Sequence, residues 1–217
     1  MVTISVNTQS SILLKGEKTV YIDPWKLAPD APKADLILLT HDHFDHFSPE
    51  DVMRLCKEDT VITAPAMVRS LIMEKCPGKE SSFLTVVPGK TYTANGITFE
   101  TVGAYNVNGR RYHPRERSYC GYVVTLEGKR YFVMGDTDEN DDNRRVQCDV
   151  LLIPVGGTYT MNAEQAALCA SHIHPQLAIP THYGEVVGSP SDGDAFREAL
   201  LAVAPDVRVE TRLGTAE

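Results

Sequence analysis

The chain has 217 residues, a formal net charge of −8 and a hydrophobic fraction of 42%. This length fits one large domain spanning residues 1–217, with enough apolar side chains for a sizeable core. The acidic balance makes nucleic acid an unlikely partner, because proteins that bind it usually carry a basic patch. No apolar stretch reaches the ~20 residues that cross a bilayer, so we expect no membrane partner.

The cysteines are few and dispersed. There are five, without a CxxC pair, which argues against a disulfide framework and favours a reducing, cytoplasmic setting. The N-terminal residues lack a basic start followed by an apolar run, so we expect no secretory leader. Composition leaves the oligomeric state open, including a homo-oligomer.

The first half of the chain predicts short strands and two helices. Ser48 followed by Pro49, Glu50 and Asp51 is typical of a helix start, and this helix is expected to reach about Lys57. A second helix is expected at 65–75. Runs of β-branched and apolar residues predict strands at 3–7, 11–15, 19–23, 36–40, 60–64, 82–87, 90–93 and 97–102.

The second half begins with a polar, irregular segment, 104–118, which we expect to be a long loop. Glu127-Gly128-Lys129 predicts a hairpin turn, and Asn162 with Gln165 resembles a capping box that opens a helix to about His172. Another helix is expected at 192–203. Strands are expected at 119–126, 130–135, 149–154, 177–180 and 207–212, so the whole pattern predicts an α/β domain with two sheets.

A dense group of ligand-type side chains follows the apolar strand at 36–40. Residues 41–46 read His-Asp-His-Phe-Asp-His. His41 and His43 point the same way in an extended segment, and Asp45 and His46 would face a neighbouring position after the chain turns. Imidazole and carboxylate suit zinc best, with manganese or iron as alternatives. A His-rich surface loop is the other interpretation, but a surface loop does not require histidines and an aspartate at this spacing.

Two later strand ends carry further candidates, Asp136 and His182. One four-coordinate zinc cannot use all of these side chains, whereas a pair of metals that share a bridging carboxylate could. The sequence therefore predicts one or two divalent metals bound by His41, His43, Asp45, His46, Asp136 and His182.

These motifs resemble those of the metallo-β-lactamase superfamily, and within it the small metal-dependent hydrolases that include ascorbate-6-phosphate lactonase-like proteins. The resemblance covers nearly the whole chain and rests on HxHxDH, a later Gly-Asp-Thr, a final His after a strand, and the segments 21–24, 103–106, 154–161 and 179–184. It implies a four-layer αββα sandwich, in which two mixed β-sheets are flanked by helices.

The resemblance also implies roles for the candidates. His41 and His43 would bind the first metal, and Asp136 would bridge it to a second metal held by Asp45, His46 and His182. Asp23 would support a ligand histidine through its other ring nitrogen, although a turn residue before Pro24 is an alternative.

One position departs from the family pattern. The family usually supplies another histidine after a strand near position 105, where this chain has Asn106. Either the first metal binds more weakly, or His113 reaches in from the loop, or only one metal is held. His113 is thus a candidate ligand or catalytic acid, with a solvent-exposed loop histidine as the alternative. Asn106 could instead hold a water or a substrate oxygen.

Several other polar side chains have weaker assignments. Thr158 and Tyr159 follow a Gly-Gly bend and could contact substrate, although Tyr159 could also be a core residue. His172 and His174 lie at a helix end, where imidazole is commonly structural. The arginines at 110, 111, 115 and 117 could bind an anionic group, or form a solvated loop or a subunit contact.

The sequence therefore predicts a cytoplasmic metal-dependent hydrolase that uses a metal-activated water on a small anionic substrate, such as a lactone, ester or phosphodiester. Asp45 would orient the nucleophile or take its proton, and His113 could give a proton to the leaving group. The alternatives are a nuclease or cyclic-nucleotide phosphodiesterase, against which the acidic charge counts, and a catalytically impaired metal- or ligand-binding protein.

Overall fold

The computed structural model describes residues 1–107, 109 and 111–214. The first half of the chain forms a six-stranded mixed sheet whose strands lie in chain order. The first three strands pair antiparallel and the last four pair parallel. They are β1 (Thr3–Val6), β2 (Ile12–Lys15), β3 (Thr19–Ile22), β4 (Leu36–Leu38), β5 (Val61–Pro65) and β6 (Phe83–Val86).

The second half forms a seven-stranded mixed sheet, also in chain order. Its strands are β7 (Thr91–Ala94), β8 (Ile97–Gly103), β9 (Cys120–Leu126), β10 (Lys129–Val133), β11 (Val150–Pro154), β12 (Leu177–Thr181) and β13 (Arg208–Val209). Pairing is antiparallel from β7 to β10 and parallel from β10 to β13. Glu127 and Gly128 both have positive φ, 48° and 77°, which matches the type I′ turn of a two-residue hairpin.

Within the described residues, four α-helices cover the outer faces of the two sheets. Side chains of α1 (Pro49–Leu55) and α2 (Ala66–Lys75) pack with the first sheet, and those of α3 (Ala163–Ile173) and α4 (Asp192–Val203) pack with the second. A third cluster of buried side chains, including Leu14, Leu38 and Tyr122, lies between the sheets. The predicted four-layer αββα sandwich is confirmed.

The local signals in the sequence correspond closely to the observed element boundaries. The Ser48 hydroxyl accepts a hydrogen bond from the Asp51 amide, and Asn162 and Gln165 form the predicted capping box at α3. The first helix ends at Leu55 rather than near Lys57, because Cys56 takes an extended conformation. In the part of the chain that the structure describes, no helix has the length and apolar character needed to cross a membrane.

Candidate metal centre

The first cluster of candidate ligands combines side chains from three separate segments. β4 leads through Thr40 into His41 and His43, and Asp136 follows β10. His41 Nε2 lies 3.0 Å from His43 Nδ1, which in turn lies 3.3 Å from His113 Nε2. The Asp136 Oδ2 atom is 3.3 Å from His113 Nε2 and 3.9 Å from His41 Nε2. The structure thus brings His113 from the loop to the predicted first site.

These distances provide a test of whether the cluster fits a metal ion. A tetrahedral zinc ion with bonds of 2.0–2.1 Å places its ligand atoms about 3.3 Å apart. The four separations in the first cluster lie around this value, and all four atoms fall within 4.8 Å of one another. Three imidazole nitrogens and one carboxylate are also a donor set that zinc accepts, so the residues fit the metal.

The second cluster lies beside the first and contains Asp45, His46 and His182. Asp45 Oδ2 is 3.6 Å from His46 Nε2 and 3.5 Å from His182 Nε2. Asp136 also reaches this cluster, with Oδ2 at 3.0 Å from His182 Nε2 and Oδ1 at 3.3 Å from His46 Nε2. A single carboxylate therefore borders both clusters, which is the geometry that a bridging ligand requires.

Buried polar atoms in the second cluster give independent support for a bound cation. His46 Nε2 and Asp136 Oδ1 are both buried, yet neither makes a hydrogen bond of acceptable geometry among the described residues. Burial without a partner is costly for such groups. A metal ion between these atoms would satisfy both of them.

Asp23 lies behind the ligands rather than among them. Its Oδ2 atom is 2.7 Å from His46 Nδ1 and accepts a 2.6 Å hydrogen bond from the Thr40 hydroxyl. The same hydroxyl lies 2.9 Å from His41 Nδ1. Because Nδ1 of both rings is engaged in this way, Nε2 is the atom that His41 and His46 direct towards the clusters. This arrangement matches the role that the resemblance implies for Asp23, which stays a prediction.

Asn106 and His113 act as a unit in the structure. Asn106 Oδ1 accepts a hydrogen bond from the His113 backbone amide at 2.9 Å, and the same oxygen lies 3.2 Å from His113 Nδ1. The Asn106 amide nitrogen donates to the Tyr159 carbonyl at 3.0 Å, which fixes the orientation of the amide. Asn106 thus holds the His113 ring so that Nε2 faces the first cluster. The side chain at the family's histidine position supports a histidine that comes from the loop.

The ionisable groups fall into two electrostatic classes. Burial lowers the pKa of His113 to about 4 and, together with neighbouring His46, holds the pKa of His41 well below its usual value. Burial also opposes charge on His46 and His182, but the Asp136 carboxylate, together with Asp23 at His46 and Asp45 at His182, prevails and raises both pKa values. Before metal binds, the first cluster is therefore rich in neutral imidazole, whereas the second holds protons.

The two carboxylates of the second cluster stay ionised. Burial acts to raise their pKa values, but neighbouring histidines prevail. The pKa of Asp136 lies well below the usual range because of His182 and His46. The pKa of Asp45 is lowered by its hydrogen bond with His182 and by His46. Both carboxylates are available as anionic ligands at neutral pH.

The remaining candidates lie outside the two clusters. Thr158 is exposed, and Tyr159 is half-buried with its ring against Tyr112. His172 pairs with Glu139 at 2.7 Å on the surface. His174 caps α3 in a left-handed conformation and lies 3.3 Å from Asp206.

The arginine cluster is only partly described, because Arg110 lies outside the described residues. Arg115 lies 3.6 Å from Asp142 and over the Tyr105 ring. Arg111 and Arg117 are exposed.

Two supporting residues were not identified from the sequence. Thr40 joins Asp23 to His41, and its only signal was its place immediately before the motif. Tyr119 donates a 2.6 Å hydrogen bond to Asp42, and its ring packs against His41 at a centroid distance of 5.2 Å. Nothing in the local sequence around Tyr119 indicates this contact, since 77 positions separate the two hydrogen-bonded residues.

Comparison with known proteins identifies the family of the chain. The domain family described as "Beta-lactamase superfamily domain" matches residues 3–182. A protein of Methanosphaerula palustris named UPF0173 metal-dependent hydrolase is 30% identical over 200 residues, which cover 87% of each chain. A homologue with the same name from Thermococcus kodakarensis is 27% identical and covers 92% of each chain.

Solved structures show the same architecture. A candidate metal-dependent hydrolase from Parabacteroides distasonis has a TM-score of 0.80 at 30% identity, covering 97% of this chain and 92% of its own. A metallo hydrolase from Ignicoccus hospitalis has a TM-score of 0.76 at 21% identity, covering 97% and 94%; at that identity the likeness shows the fold alone. The chain therefore belongs to the metallo-β-lactamase superfamily and is one of its metal-dependent hydrolases.

Proposed function

We propose that the protein uses two divalent metal ions, with zinc as the first choice, to hydrolyse a small anionic substrate. The observation that carries this proposal is the pair of adjacent ligand clusters that share Asp136. In this proposal the first metal is held by His41, His43, His113 and Asp136, and the second by Asp45, His46, His182 and Asp136.

The residues around the clusters have distinct chemical tasks. When bound, the metals would lower the pKa of a coordinated water and polarise the scissile carbonyl or phosphoryl bond. Asp45 is ionised, so its carboxylate can accept a proton from the nucleophile and return it to the leaving group. His113, with a pKa of about 4 and Nε2 directed at the first cluster, serves as a ligand and not as the proton donor.

The substrate is a lactone, an ester or a phosphodiester with an anionic group. Arg111 and Arg117 are exposed on the loop that carries His113, where they can meet a negative charge. A catalytically impaired binding protein is the alternative if the first site lacks a histidine because position 106 is Asn. The location of His113 beside His43 counts against this alternative. The net charge of −8 continues to disfavour a nuclease.

Three further assignments belong to this proposal. Both sheets supply ligands to one site, since His41 follows β4 and Asp136 follows β10, which supports a single domain over residues 1–217. All five cysteines are free thiols, which supports a cytoplasmic setting. A single chain supplies every proposed ligand, so the ligand set needs no residue from a second subunit.

Metal analysis combined with a substrate panel tests the proposal. Protein purified without chelator should contain two metal equivalents, and it should hydrolyse at least one of a lactone, a carboxylic ester and a phosphodiester only when metal is present. Asp45→Asn should lower kcat by about 100-fold or more. Two equivalents without turnover would favour the binding protein. Cleavage of oligonucleotides with salt-sensitive binding would favour the nuclease.

A further inference from the structure

Two aromatic pairs adjoin the ligands of the candidate metal centre. Phe44 is the residue between His43 and Asp45, and its side chain is 68% exposed. Its ring meets Trp25 edge to face at a centroid distance of 6.0 Å. Tyr112 immediately precedes His113, is 51% exposed, and meets Tyr159 edge to face at 4.8 Å. We call these four residues the aromatic rim.

Two residues of the aromatic rim are chain neighbours of ligands at the solvent-facing side of the first cluster. His43 is the only one of the seven proposed ligands that is not fully buried. Its Nδ1 atom lies 3.3 Å from His113 Nε2, so these two ligands are in contact. Phe44 directly follows His43 in the chain, and Tyr112 directly precedes His113. The Cα atoms of such neighbours are about 3.8 Å apart. Both pairs therefore begin at the exposed edge of the first cluster.

The rim residues are also held in place. Lys26 Nζ lies 4.4 Å above the Trp25 ring, and the same ammonium group pairs with Glu185. The Tyr159 carbonyl accepts the hydrogen bond from the Asn106 amide, which ties the second pair to the support of His113. Positioned aromatic side chains with exposed faces next to a polar centre are typical of ligand-binding sites.

We infer that the aromatic rim forms two walls of the substrate site, and that the substrate carries a flat apolar group, such as an aryl ring, beside the bond that is hydrolysed. This inference deepens the proposed function and rests on it. The ester, lactone or phosphoryl group lies at the metals, while the aryl group packs between Phe44 and Tyr112. The exposed fractions of Phe44 and Tyr112 leave ring surface available for this contact.

Binding of paired phosphonates tests the inference without turnover. Trp25 is the only tryptophan in the chain, so intrinsic fluorescence reports directly on the rim. Phenylphosphonate should bind the zinc-loaded protein about 10-fold more tightly than methylphosphonate, as expected for contacts with two aromatic side chains, and should change Trp25 fluorescence. Phe44→Ala and Tyr112→Ala should each reduce this preference to about 3-fold while metal content stays unchanged.

Leu201→Ala is the matched control, because Leu201 is 61% exposed on α4 and lies outside the site. It should keep the full preference for phenylphosphonate. Equal binding of the two phosphonates by the parent protein would overturn the inference. So would a loss of self-association in Phe44→Ala, measured by sedimentation, because the rim would then be a subunit contact.

Kinetics separate a failure of the inference from a failure of the proposed function. Esters that differ only in a phenyl or methyl substituent should differ about 10-fold in kcat/KM, and Phe44→Ala should reduce this difference to about 3-fold. Metal-dependent turnover of both esters at equal rates would overturn the aromatic site and leave the hydrolase intact. Aryl-selective binding without turnover of any panel substrate would overturn the proposed hydrolase and leave the aromatic site intact.

Discussion

Replacement of Asn106 by alanine tests whether this residue positions His113 for metal binding. Alanine removes the acceptor of the His113 amide at 2.9 Å, the acceptor near His113 Nδ1 at 3.2 Å, and the donor to the Tyr159 carbonyl at 3.0 Å. Each lost hydrogen bond costs about 1 kcal/mol, so the free energy of unfolding should fall by about 3 kcal/mol. Loss of a residue that orients a ligand typically weakens metal affinity by about 10–100-fold.

The assay is a zinc titration in competition with a chromophoric chelator, combined with urea denaturation of the metal-free protein. Asn106→Ala should weaken one of the two sites and leave the other within about 3-fold of the parent. Asn162→Ala is the control, because it removes the cap of α3 and costs about 1 kcal/mol without touching the ligands. Its zinc affinities should equal those of the parent.

Two results would refute the reasoning about Asn106. The first is an Asn106→Ala protein that binds both metals with parental affinity, since His113 would then need no support. The second is an equal loss at both sites, which would indicate general disruption and not a local effect. Asn106→His combined with His113→Ala offers a further check, because it places a histidine at the family's usual position and should restore the weakened site.

The shared carboxylate, the protonation of the ligands and the surface histidine each yield one more prediction. Asp136→Ala should lower the metal affinity of both sites by about 100-fold or more, because Asp136 borders both clusters. Elemental analysis that finds two metal equivalents retained would contradict this. His46 and His182 have raised pKa values, so a metal ion must displace their protons when it binds. For each proton displaced, the metal affinity of the second site should therefore fall by up to about 10-fold per pH unit as the pH drops from 8 to 6. The first site, where the pKa of His113 is about 4, should change less, and equal slopes in titrations at several pH values would argue against the assignment. His172→Ala should leave metal content unchanged, and loss of one equivalent would show that its structural role was misjudged.

The sequence by itself determined the order of strands and helices, and it predicted most of the residues that the structure brings together. Local rules explain this success. Alternating and continuous apolar runs specify strands, and caps such as Ser48 specify helix starts. Asp136 and His182 follow buried strands, and the carboxyl ends of such strands meet at one edge in the folded domain. Local rules are therefore sufficient to predict that Asp136 and His182 lie with the other candidate ligands.

Only the tertiary structure decided how the first cluster is completed. His113 and His43 are separated by 70 positions, and an irregular loop has no periodicity from which the direction of a side chain can be inferred. The direction comes from Asn106 and from the end of β8, which antiparallel pairing with β9 holds in place. The contacts of Thr40 and of the aromatic rim could not be predicted from the sequence for the same reason, because they join residues from separate segments. Spacing along the chain predicts neighbours within one element, whereas contacts between elements depend on packing of the complete core.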